Sequence, residues 1–203
     1  MIVPVKDVLF TQRLLQSCGL YTGKLDGDWG PLSQGAYQAF RTLYLSAQKT
    51  YGKFDTRTEN NIATLLPKTQ RAARLFMTSA KSFKYTVQIL SGTRTYAEQQ
   101  VIYAQGRTRP GRIVTHAPPG YSNHNFGLAF DVGIFDGKTY FTGATHAQTA
   151  AYIALREHTK NATPMLAWGG DWKSSKDRPH YEMRTGKTTS QLRAALEAGR
   201  AYV

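Results

Sequence analysis

Ser122-Asn123-His124-Asn125-Phe126-Gly127-Leu128-Ala129-Phe130-Asp131, joined far downstream by Asp177-Arg178-Pro179-His180, decides how this chain reads. Together the two stretches offer two imidazoles, one carboxylate ligand and a second carboxylate to spare. Those are the residue types that a hydrolytic zinc ion takes: three nitrogen or oxygen ligands at about 2.0 to 2.1 Å, with the fourth position left for water. Two neutral His and one Asp leave the ion net positive, so that it acidifies water and polarises a carbonyl oxygen. Cys18 is the sole cysteine, which excludes the thiolate-rich structural zinc patterns.

The local pattern supports convergence. Alternation along an extended segment puts Ala129 and Asp131 on one face, and Gly127 lets the backbone turn between His124 and the strand. Pro179 cannot continue a helix, so Asp177 is expected on a loop feeding a strand that carries His180. Glu182 lies on the same face of that strand as His180 and competes with Asp177 for the place beside the activated water. Unpaired, Asp131 or His180 would be costly in such apolar, Gly-punctuated segments, and a metal is the simplest compensation.

Ser122-x-His124-x-x-Gly127-x-Ala129-x-Asp131 resembles the SxHxxGxAxD signature of the D-alanyl-D-alanine carboxypeptidase and dipeptidase family of zinc peptidases. The longer run Tyr121 to Val132, with Trp168-Gly-Gly-Asp-Trp172 and Asp177-Arg-Pro-His-Tyr-Glu182, is similar to one branch, the phage endolysins and bacterial autolysins that act as L-alanyl-D-glutamate endopeptidases. The resemblance covers about Gln88 to Arg184. It implies one zinc ion held by His124, Asp131 and His180, with Asp177 as general base. Ser91-Gly92-Thr93-Arg94 matches the family's SGxR segment, which implies that Arg94 stabilises the oxyanion. Many relatives use Glu as the base, so Glu182 stays a rival. Ser122, Trp168 and Trp172 are expected to line the substrate groove, with core packing an equal account of the two Trp. His116 is read as an exposed loop residue, and His146 and His158 as decorating a helix.

The net charge is +13, divided as +2 over residues 1–67 and +11 over the remainder. Such an excess draws the chain to polyanions. Zinc-finger spacing, an aromatic RNA-binding signature and long Lys/Arg clusters are all missing, so nucleic acid is not expected. Peptidoglycan and anionic envelope polymers fit instead. No stretch reaches 18 apolar residues, so no transmembrane span is expected. Met1 to Asp7 lacks the basic and apolar regions of a secretory signal, and the protein is expected to wait in the host cytoplasm until the membrane is permeabilised. A monomer is expected.

In the first third, Asp7 caps a helix bearing Leu9, Phe10, Leu14, Leu15 and Cys18, and Gly19 stops it. A turn-dense loop, Tyr21 to Pro31, precedes a second helix with Ala36, Tyr37, Phe40, Leu43 and Tyr44. Asp55 to Thr58 caps a third, bearing Ile62, Leu65 and Leu66, which Pro67 ends. Gln12-Arg-Leu-Leu-Gln16 with Gly23-x-x-Asp26-Gly27-x-x-Gly30-Pro31 resembles a small three-helix peptidoglycan-binding domain over about residues 5–67. The expected organisation is therefore a three-helix bundle over 1–67 and, over 68–203, an α+β zinc peptidase domain with a central antiparallel sheet. Its expected elements are a helix over Arg71 to Lys81, a strand from Tyr85 to Leu90 and a helix from Tyr96. Strands near Leu128 to Phe135, Thr139 to Phe141 and Pro179 to Met183 follow, with helices near Thr149 to Glu157 and Ser190 to Glu197.

Overall fold

A computed structural model of the chain describes residues 7–203; the signal-sequence reading falls mainly on Met1 to Lys6, outside them. Among the described residues, seven α-helices and five strands form a mixed helix-and-sheet fold with an antiparallel sheet: α1 Val8–Ser17, α2 Pro31–Tyr51, α3 Thr56–Ile62, α4 Pro67–Ala80, β1 Thr86–Ser91, α5 Tyr96–Ala104, β2 Ala129–Asp136, β3 Thr139–Tyr140, α6 His146–Thr159, β4 Leu166–Trp168, β5 His180–Met183 and α7 Thr189–Glu197. The sheet runs β1-β2-β5-β4, with β3 hairpinned onto the end of β2. No helix among the described residues is long and apolar enough to cross a membrane.

Helix starts follow local chemistry. The Asp7 carboxylate accepts the Phe10 N–H at 3.0 Å, and that of Asp55 accepts the Thr58 N–H at 3.0 Å. Thr95 and Glu98 close a full capping box on α5. Two differences concern proline and apolar periodicity. Pro67 opens α4 at its first turn instead of closing α3, because a missing N–H costs nothing there. Leu65 and Leu66 therefore sit in the connecting turn, where both are buried. On α2, Ala36, Phe40 and Tyr44 face inward as expected, but Leu43 points to solvent and is 44 % exposed.

Strand alternation sorts the two faces of the sheet. Phe130 and Tyr181 stack at 5.8 Å and 12° on one face, where α4 covers them through Phe76, 4.6 Å from the Tyr181 ring. Asp131 and His180 are opposite each other in the β2–β5 register and point to the other face. Strand β4, only three residues long, was not expected from the sequence.

The helices before Pro67 share the buried interior of the rest. One cluster joins Tyr44, Ile62 and Leu65 to Phe76, Ile89 and Phe130; a second joins Phe10, Leu14 and Phe40 to Phe126, Leu128 and Leu196. A buried ion pair ties the same elements. Arg74 on α4, 0 % exposed, donates to Glu59 Oε1 at 3.0 Å and Oε2 at 2.9 Å and to the Gly52 carbonyl at 2.7 Å. Glu59 also accepts from the Tyr44 hydroxyl, from Gln48 at 3.0 Å and from the Phe54 N–H at 2.8 Å. With its charge compensated in this way, Glu59 holds α2, α3 and α4 in one arrangement.

Candidate metal centre

His124 is delivered by a 3-10 turn over Asn123–Phe126, not by an extended strand. Gly127 closes the turn at φ 65°, a left-handed conformation that glycine adopts freely. Asp131 comes from β2 and His180 from β5. His124 Nε2, Asp131 Oδ1 and His180 Nδ1 are separated by 3.2, 3.3 and 3.1 Å. A tetrahedral zinc with bonds of about 2.0 to 2.1 Å has ligand-to-ligand edges of about 3.3 Å, so the three atoms already outline one face of its coordination shell.

Proton bookkeeping makes the same point. His124 Nδ1 donates to the Gly92 carbonyl at 2.7 Å, which can only accept, and so Nε2 turns its lone pair toward the trio. His180 Nε2 lies 2.8 Å from Glu182 Oε2, which leaves Nδ1 as the inward atom. With both imidazoles neutral, the state that metal binding requires, three acceptors converge on one point, an arrangement that a cation resolves. The donor set fits zinc. In the metal-free protein, burial holds His124 below its ordinary range. For His180, burial lowers the pKa, but hydrogen bonds to Asp131 and Glu182 outweigh it and raise the ring to about 9. Asp131 is desolvated, yet its two imidazole partners hold its carboxyl well below the usual carboxylate range.

The two rival carboxylates separate. Glu182 is occupied: it accepts from His180 and, at 2.7 Å, from Asn123 Nδ2, and these partners outweigh burial to keep it ionised. It orients the His180 ring. Asp177 lines the cleft and, among the described residues, receives no hydrogen bond on its carboxylate; desolvation by the cleft walls, and then the charge of Asp131, raise its pKa. Its backbone is fixed by an N–H bond to the Gly169 carbonyl at 3.1 Å. Two residues earlier Ser175 has φ 51°, the only positive value at a non-glycine among the described residues, so the loop carrying Asp177 stores local strain.

The trio lies in a cleft of about 710 Å³. Arg94 reaches into it, with its guanidinium 3.9 Å from Asp131 Oδ2, and Ser122, Trp172 and His116 line it. The Trp172 ring is 5.1 Å from that of His180. Trp168 does not reach the cleft: it is 6 % exposed, belongs to the core and donates its indole N–H to the Arg178 carbonyl at 2.7 Å. His146 opens α6, and His158 meets Ser79 and Ser82 on the surface, both away from the site. The Cys18 thiol, pushed up to about 12 by burial, is no nucleophile. Sequence reasoning passed over Asn123 and Gly92. Gly92 stands inside the Ser91-Gly-Thr-Arg94 stretch already singled out, and its invisible role is that of a carbonyl.

Fold and trio define a candidate metal centre, three side chains that could hold an ion and that come from a turn and two neighbouring strands. The chain belongs to the VanY family, D-alanyl-D-alanine carboxypeptidase, whose model matches residues 63–182. It is similar to the peptidoglycan L-alanyl-D-glutamate endopeptidase CwlK of Bacillus subtilis (strain 168), 41% identical over 103 residues, 48% of this chain and 60% of that protein. The matched part therefore spans less than two thirds of that relative's length. A crystal structure of the L-Ala D-Glu endopeptidase ChiX of Serratia marcescens matches at a TM-score of 0.47 with 24% identity, covering 66% of this chain and 90% of that one.

Proposed function

We propose that the protein is a zinc-dependent peptidoglycan peptidase that cuts the stem peptide between L-Ala and D-Glu, and that it acts as an endolysin. The observation that carries the chemistry is the convergence of three acceptor atoms at 3.1 to 3.3 Å with a carboxylate left over beside them. The choice of bond rests on the similarity to the Bacillus subtilis endopeptidase. His124, Asp131 and His180 would hold the ion, which when bound supplies an acidified water and a polarised carbonyl. Asp177 takes the proton from the attacking water and passes it to the leaving amine. Arg94 pairs with the oxygen as negative charge develops on it. Asn123 and Glu182 hold His180 in the required tautomer.

The first 67 residues are proposed to grip the wall, from a rigid position instead of a flexible tether. Leu32, 63% exposed, and the Trp29–Tyr37 pair, 5.9 Å apart, lie where α2 begins and offer an apolar surface of the kind that contacts sugar rings. The surplus of +11 over residues 68–203 would add attraction to anionic wall polymers.

Digesting purified wall and mapping the new amino termini tests the reading. New D-Glu amino termini are expected. Release of free D-Ala would instead assign a carboxypeptidase, and reducing sugars without new amines would exclude a peptidase.

A further inference from the structure

Strand β1 is an edge of the sheet, and side chains from α3 and the turn after it occupy that edge as a further strand would. Thr58 Oγ1 accepts the Ile89 N–H at 3.1 Å, and Asn61 Nδ2 donates to the Ile89 carbonyl at 2.9 Å. Three residues on, Thr64 Oγ1 accepts the Thr93 N–H at 2.9 Å, while Thr93 Oγ1 donates to the Thr64 carbonyl at 2.6 Å. The Thr64 hydroxyl proton goes to the Asn61 carbonyl at 2.7 Å, so the acceptor lone pair is aimed at Thr93. The approach is close: a Cβ on Gly92 would lie 2.4 Å from Thr64 Oγ1 and 2.6 Å from the Asn61 carbonyl oxygen.

The Thr93 N–H and the Gly92 carbonyl belong to one peptide unit, which is planar and rigid. On one side that unit is held by Thr64; on the other its carbonyl receives His124 Nδ1–H at 2.7 Å. Fixing the N–H fixes the direction of the carbonyl, and a hydrogen bond at the N–H also strengthens the carbonyl as an acceptor. We propose that Thr64 is a positioning residue for the metal ligand His124, acting through the Gly92–Thr93 peptide. Thr58 and Asn61 precede the family match, which begins at residue 63, so the clamp joins the helical segment to the centre. The proposal rests on the metal-site reading but not on which bond of the wall is cut.

The experiment is zinc affinity of the full-length protein by competition with a chromophoric chelator, alongside thermal unfolding of the metal-free form. Thr64→Val, which keeps the shape and removes the acceptor, should weaken zinc binding about tenfold, the lower end of what loss of an outer-shell partner costs. Thr64→Ser should restore affinity to within about threefold, since its hydroxyl is still an acceptor. If the Val variant does not fold, Thr64→Cys, with its weak sulfur acceptor, should fall between Ser and Val. Zinc affinity unchanged in Val or Cys, with only metal-free stability lowered, would overturn the proposal. A wild type without zinc affinity would sink the metal site itself.

Discussion

Asp177→Asn is expected to lower the hydrolysis rate by about 10² to 10⁴, the range of general acid–base catalysis, while zinc content and wall binding stay at wild-type levels. The amide keeps the size of the side chain and removes its capacity to take a proton. Asp177 contributes no atom to the trio, and it is held in place by its backbone, so neither the metal nor the loop depends on its charge. Glu182→Gln should behave differently. Its carboxylate supports His180 and Asn123, so its loss should show first as weaker metal retention. Rates measured at saturating and at limiting zinc separate the two. If Asp177→Asn lyses wall at the wild-type rate, the base is elsewhere; if wild type itself releases no new amino termini, the protein only binds.

Arg74→Leu is expected to cost about 3 to 5 kcal/mol, because it leaves the Glu59 carboxylate buried without its cation. In a chain of this size that corresponds to a fall of roughly 6 to 20 °C in the midpoint of thermal unfolding. Replacing both Arg74 and Glu59 by apolar residues should recover much of the loss. The pair also sets an acid limit. Burial alone would raise the Glu59 carboxyl, but Arg74, Tyr44 and the Phe54 N–H outweigh it and hold it below its ordinary value. A depressed carboxyl contributes stability that is present above the unfolded value, about 4.3, and is lost as pH falls through the folded one. Melting curves below about pH 4 should therefore fall more steeply in wild type than in Glu59→Gln. Equal slopes would show that Glu59 is not the group involved.

Much of the site was legible because its chemistry is written in residue types with glycine and proline between them. His124, Asp131, His180, Asp177, Arg94 and Trp172 all reach one cleft. What the sequence could not give was direction. Trp168 and Trp172 bracket the same Gly-Gly-Asp run, and only the fold reveals that Trp168 lies under it in the core while Trp172 stands over His180. Glu182 and Asp177 are equivalent on paper; only the fold shows that Glu182 engages a ring nitrogen of His180 while Asp177 does not. The role of Gly92 is a backbone carbonyl, to which side-chain reading is blind. In the fold, helix caps are readable from local chemistry, whereas Pro67 looks like a stop because the apolar spacing of Leu65 and Leu66 continues past the end of α3. The shared interior of the two halves depends on contacts far apart in sequence, such as the Leu66 N–H donating to the Gly127 carbonyl at 3.1 Å, which no local pattern signals.

The most direct test of the central claim is the zinc content of dialysed protein, measured together with wall hydrolysis before and after chelation. The predicted result is about one zinc per chain in wild type, none in Asp131→Ala, and hydrolysis that stops with chelator and returns with added zinc. Undiminished hydrolysis by protein stripped of metal would contradict the account.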